Sequence, residues 1–257
     1  MKNLLGLIFA FTFLLSACAT SPTGRKQFLA IPAEQLDTLG ADSFKEIQKT
    51  TPTTTSAKYY NVTKCVADKL LLAIGENPAE WELKVFVDKS PNAFALPGRK
   101  IGVHTGMIDL ADNADQLAAV MGHEIGHVLA SHGNERMSQG MLANIGMQAA
   151  QVALGKDTTT NNLLMAGLGL GARFGVIMPF SRKHESEADY LGQQYMAKAG
   201  FDTRAATALW QKMAAAAGGA NPPEFLSTHP SNASRIRDTA NFPHPPKIAG
   251  SRPPCVK

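Results

Sequence analysis

The chain has 257 residues, 44% hydrophobic and 18% charged, which suits one globular domain with an ample core. Its net charge of +4 is mild, no Lys/Arg cluster marks a nucleic-acid face, and aromatic residues make up only 7%. Nucleic-acid binding is therefore set aside, and attraction to an anionic membrane surface is weak at most.

In chain order, Lys2 precedes an apolar run over residues 4–15, short for a membrane span and right for a signal-peptide core. The run ends in Leu15-Ser16-Ala17-Cys18, which resembles a bacterial lipobox. In that pattern residues 1–17 are removed, and several acyl chains on Cys18 anchor the protein where one chain would not. Ala19, standing where retained lipoproteins carry Asp, resembles the outer-membrane sorting signal. The plainer alternative is a secretory signal with a cysteine nearby. Lipidation of Cys18 leaves Cys65 and Cys255, which an oxidising periplasm would bridge. The other reading keeps a buried Cys65 thiol and a loose tail thiol.

Residues 18–31 read as a tether. Pro32 opens a helix expected to reach residue 49, and the Thr/Pro run 50–55 breaks it. A second helix is expected over 57–74, with Val62, Cys65, Val66, Leu70 and Ile74 at helical spacing. The period then changes to two. Segments 83–88, 93–96 and 101–104 read as strands of a small sheet, two of them a hairpin around Pro97-Gly98. The sheet leads directly into the next helix, and its edge could accept an extended peptide by main-chain hydrogen bonds. His104 lies on the last strand and reads as a core or surface histidine rather than a ligand.

Residues 113–132 carry His123-Glu124-Ile125-Gly126-His127, an H-E-x-x-H box. On a helix, positions i and i+4 share a face, so both imidazoles can reach one zinc ion while Glu124 stands beside it as a base. Leu117, Val120, Met121, Ile125 and Val128 make the helix strongly apolar, so the polar trio is set into a core element. His132 falls one residue short of the spacing that would supply a third histidine ligand, and reads as a helix-end residue capped by Gly133.

Residues 137–180 are rich in Gly, Ala and Met and read as a packed or mobile helical flap over the cleft, with membrane contact left open. A further helix is expected over 181–198 with Glu185 and Asp189 on one face. Glu187 points about 200° away from Glu185 and should face Lys183 in solvent. Gly200 ends that helix, Asp202 caps another to residue 216, and Thr228-His229-Pro230 leads into a short helix with Arg235 and Ile236. The proline-rich tail, 241–257, reads as irregular.

Four features stand in order: the box at 123–127, Glu185 with Asp189, the Ser-Thr-His-Pro run ending at Pro230, and Arg235-Ile236. Together they resemble the HtpX/CAAX-prenyl endopeptidase family of zinc metallopeptidases over roughly 32–240. The lipobox makes the chain most similar to periplasmic lipoprotein members of the LoiP and BepA type. It departs from BepA-like members in having no helical-repeat domain after residue 240, which weakens any role as a docking scaffold.

The resemblance implies a mostly helical α+β fold of gluzincin type, with a small sheet beside the active-site helix. It implies one zinc ion held by His123, His127 and Glu185, with Glu124 as general base for a zinc-activated water. Asp189 becomes the second acidic residue, orienting a ligand histidine or helping in proton transfer. His229 becomes either an oxyanion stabiliser or a latch on the metal's open position, and Arg235 either its support or an ordinary surface arginine. The implied function is a membrane-anchored endopeptidase acting on misfolded or unassembled envelope proteins, lipid-anchored to the outer membrane and facing the periplasm. A processing protease with one defined target is the rival among enzymes. The rival of another class is a chaperone-like or binding lipoprotein whose zinc is structural or latent.

Overall fold

The structure is a computed structural model that describes residues 18–154, 180–217, 225–229, 233–243 and 255–257. The signal segment, most of the second half of the expected flap and most of the tail lie outside the described residues.

Strands β1 (Cys18–Thr20) and β2 (Lys26–Phe28) form an antiparallel hairpin. Helix α1 (Ala33–Thr50) follows, then β3 (Thr53–Thr54), helix α2 (Ala57–Ala73), and strands β4 (Glu82–Phe86), β5 (Ala93–Leu96) and β6 (Lys100–His104). Helices α3 (Thr105–Leu110), α4 (Ala114–Leu129) and α5 (His132–Leu154) come next. They are followed by α6 (Arg182–Ala199), α7 (Arg204–Ala217), the short α8 (Phe225–Thr228) and α9 (Ala233–Ala240). The architecture is α+β and mostly helical, as the sequence predicts. Among the described residues no helix is long and apolar enough to cross a membrane.

The larger sheet has the order β3-β4-β6-β5, with β4 parallel to β6 and the other pairs antiparallel. Thr53 and Thr54, expected only to break a helix, pair with Phe86 and Val85. Their β-branched side chains suit an edge strand, but two residues are too few for periodicity to show. β5 is an outer strand and packs against α4.

Helix α4 is the centre of the molecule. Asn113 caps it by accepting from the Gln116 amide at 3.0 Å, satisfying one of the free donors of the first turn. Leu117, Val120, Met121 and Ile125 are fully buried, each worth about 1.5–3 kcal/mol of burial. The helix stops at Leu129, short of the expected 132, because Ser131 takes the left-handed backbone (φ 54°) and redirects the chain into α5. Gly133 thus sits in the first turn of α5 and is not a terminal cap.

One correction concerns the periphery. Residues 18–31, expected as a tether, instead contain the β1–β2 hairpin, pinned to the body by Arg25, which pairs with Glu135 and Glu187 at 2.7 Å each. Short polar strands carry no hydrophobic alternation, so nothing in the sequence betrayed them. At the other end Cys65 on α2 is joined to Cys255, and the Lys257 ammonium reaches the carbonyl of Ala111.

Candidate metal centre

Helices α4 and α6 approach closely because small residues line the contact. A Cβ added at Gly192 would stand 2.8 Å from the His123 amide nitrogen, and one at Gly122 would stand 3.1 Å from the Gly192 carbonyl oxygen. The close approach lets short side chains from the two helices meet in one buried place.

His123 and His127 come from α4, Glu185 from α6, and His229 from the turn after α8. One ligand atom from each lies within 4.8 Å of all the others. The Nε2 atoms of His123 and His127 are 3.0 Å apart, and Glu185 Oε1 lies 3.4 Å from His127 Nε2. His229 Nδ1 is 3.2 Å from His123 Nε2 and 3.1 Å from Glu185 Oε1. All four residues are buried. Converging lone pairs of imidazole and carboxylate are the donor set zinc takes, and they would be a poor arrangement in a dry core without a cation.

Glu124 is buried beside this group, with Oε1 3.6 Å from His229 Nε2 and without a hydrogen-bond partner. Burial raises its pKa above the ordinary value, although a backbone hydrogen bond from Ala95 on β5 partly opposes the shift. A carboxylate that is dry, partly unpaired and easily protonated is suited to moving a proton.

The surroundings hold the rings in place. Asp189 Oδ1 accepts from His123 Nδ1 at 2.9 Å, and Arg235 donates to both Asp189 oxygens at 2.7 and 2.8 Å. Arg235 Nη1 also meets Glu185. Arg235 is therefore a buried member of the centre, and its reading as an ordinary surface arginine falls. Burial works against charge on His123, but Asp189 and Glu185 outweigh it and leave the pKa raised. For His127 burial dominates and the pKa falls well below the usual imidazole range. Burial likewise opposes charge on Glu185, yet the facing His127 and His229 rings leave its pKa lowered. Phe180 packs 4.0 Å from the His127 ring and Phe225 stacks 4.3 Å from His229, closing the site with apolar walls.

Two expectations at the site are corrected. Glu187 does not face solvent beside Lys183. It is buried and accepts from Thr23, Arg25 and His132, and these bonds, with one from Ser21, hold its pKa down at about 2 although burial opposes them. Nor does His132 end the box helix under a Gly133 cap. It is fully buried at the start of α5, 2.9 Å from His127 Nδ1, and burial lowers its pKa to about 4. His184, which sequence reasoning passed over, stacks on His132 and bonds Glu135 at 3.1 Å. His104 is buried and bonded to Ser90, away from the centre.

Comparison with known proteins bears on the same residues. The sequence profile described as Peptidase family M48 matches residues 61–241. The mitochondrial metalloendopeptidase OMA1 of Schizosaccharomyces pombe is 33% identical over 219 residues, covering 84% of this chain and 63% of that protein. OMA1 of Homo sapiens is 30% identical over 248 residues, covering 91% of this chain and 47% of its own length. The beta-barrel assembly-enhancing protease of Escherichia coli is 34% identical over 161 residues, covering 58% of this chain and 32% of that protein. The chain thus spans about a third to two thirds of the length of these relatives.

Proposed function

The chain belongs to peptidase family M48, and from that premise we propose that it is a zinc-dependent endopeptidase of the bacterial envelope. The observation that carries the reading is the convergence of His123, His127 and Glu185, with the unpartnered oxygen of Glu124 buried beside them. Those three residues would hold the metal and Glu124 would act as the base. A zinc ion there supplies Lewis-acid activation of the scissile carbonyl and of the attacking water. Glu124 takes the water's proton and returns it to the leaving amine, a shuttle helped by its raised pKa. Asp189, itself held by Arg235, keeps the His123 proton on Nδ1 and so leaves Nε2 free as a donor. The outer strand β5, bonded to Glu124 through Ala95, offers an edge on which an extended peptide could lie.

In this proposal the protein is of the LoiP and BepA type, anchored to the outer membrane through acyl chains on Cys18 and facing the periplasm. Its substrates are misfolded or unassembled envelope proteins. The lipobox supports the anchor, and the name of the E. coli relative supports the substrate class.

One observation favours a second reading: His229 stands among the donors, and four protein ligands would make a closed, latent centre. Purified protein incubated with an unfolded substrate, with and without chelator, tests both readings. Cleavage that chelator and Glu124→Gln abolish supports the enzyme, whereas undiminished cleavage by that variant would falsify the mechanism. Activity that rises in His229→Ala identifies a latch, and activity that falls identifies a stabiliser of the transition state. Palmitate labelling that depends on Cys18, in the outer-membrane fraction, tests the anchor.

A further inference from the structure

Behind His127, on the side away from Asp189, lies a row of polar side chains that the mechanism above does not use. His127 Nδ1 is 2.9 Å from His132 Nδ1, and His132 Nε2 is 3.1 Å from Glu187 Oε2. Arg25 Nε donates to the same oxygen at 2.7 Å, and Thr23 donates its hydroxyl to Glu187 Oε1. The remaining Arg25 nitrogens fork onto Glu135 at 2.8 and 2.7 Å. The row runs from the N-terminal hairpin to the donor cluster and is buried from Glu187 inward.

The direction of each bond follows from what its ends can do. Glu187 is a carboxylate and only accepts; Arg25 only donates and keeps that carboxylate charged. His132 therefore carries its proton on Nε2 and offers the lone pair of Nδ1 to His127. His127 in turn carries its proton on Nδ1, leaving the Nε2 lone pair aimed at the cluster, where a cation needs it. Reversing the row would put an imidazole lone pair against the Glu187 carboxylate and a proton among the metal donors. Both changes are unfavourable in a dry site.

We propose that His132, Glu187 and Arg25 are positioning residues that select the His127 tautomer able to bind metal, so that the hairpin at residues 18–28 is a working part of the metal centre. This rests on the reading of His127 as a ligand. Asp189 does the same for His123 in one step; here the selection passes through a second neutral ring.

Zinc affinity of the full chain, measured by competition with a chromophoric chelator, tests the relay without any use of activity. His132→Phe keeps the ring volume and removes the acceptor, while His132→Asn keeps an acceptor near Nδ1 and loses volume. The relay requires His132→Phe to weaken zinc by ~10–100-fold and His132→Asn to stay closer to wild type. Arg25→Gln should shift affinity the same way by a smaller factor, and the cobalt-substituted protein should change its visible absorption in parallel. If His132→Phe binds zinc as wild type does, or binds it better than His132→Asn, the residue only fills space and the relay is wrong. His127→Gln separates the two claims: undiminished zinc binding in that variant would overturn the ligand assignment and the relay with it.

Discussion

His123 and His127 stand one turn apart on the same helix, and each is backed by a carboxylate of α6, yet the arginines behind those carboxylates come from opposite ends of the chain. Behind His123 are Asp189 and Arg235, from α6 and α9, with the arginine side chain only 3% exposed. Behind His127 are His132, Glu187 and Arg25, reaching back to the first hairpin, with that arginine side chain 24% exposed. One imidazole is braced from inside the core, the other from the rim. The first brace is made by elements of the domain core, whereas the second depends on the docking of a small peripheral hairpin.

The largest expected difference is in stability. Arg235→Met leaves Asp189 and Glu185 buried without their cation and should cost about 3–5 kcal/mol. Arg25→Met removes a more solvent-exposed arginine, whose place water can take in part, and should cost about 1–2 kcal/mol. Urea unfolding of the two variants measures this, and equal losses would erase the distinction between core and rim.

Metal binding sharpens it next. Glu185→Gln removes a proposed ligand and should reduce zinc affinity by at least ~100-fold, beyond the ~10–100-fold range of residues that only orient ligands. Glu187→Gln should cost about tenfold, because it weakens only the brace. Isothermal titration with zinc separates the two. A neutral Glu187→Gln would show that this carboxylate holds the hairpin and does nothing for the metal.

A smaller effect concerns acid. Burial opposes ionisation of Glu135, but Arg25 and Gln27 hold its pKa below the ordinary 4.5. A lowered folded pKa contributes stability that is fully present above the unfolded value and is lost as pH falls through the folded one. Protection of the amides at residues 18–28, taken relative to the intrinsic exchange rate at each pH, should therefore fall as pH drops below about 4.5, before that of α9. Glu135→Gln should flatten that dependence, and a hairpin that stays protected while α9 opens would invert the order of the two sides.

The sequence made one of these sides readable and hid the other. His123 and His127 are paired by helical spacing, so an i, i+4 rule finds them without any knowledge of tertiary structure, whereas Glu185 and Asp189 enter by resemblance to a family and the same spacing only prefers Glu185 to Glu187. The same rule misplaced Glu187, because it judged a face from the helix alone. That face is covered by a hairpin 162 residues earlier in the chain. Arg25 lies in a stretch with no apolar alternation, and His132 was measured against a ligand spacing when its partner was another histidine. Contacts set by tertiary packing have no local period, and two residues of β3 have too little of one. Arg235 and His229 were placed at the site only by resemblance to a family, since nothing in their own neighbourhood directs them inward.

The glycine contact between α4 and α6 reaches beyond packing. Metal–ligand bonds tolerate a mismatch of only about 0.2 Å. A single methyl group at Gly192, meeting the His123 amide at 2.8 Å, would displace the helices by more than that. The seam therefore works as a gauge block: it sets the separation of the two ligand-bearing helices more finely than any side chain could readjust. Metal uptake then becomes a sensitive readout of helix spacing, and a library varied at 122, 126 and 192 could be sorted by bound metal alone, with no substrate in hand.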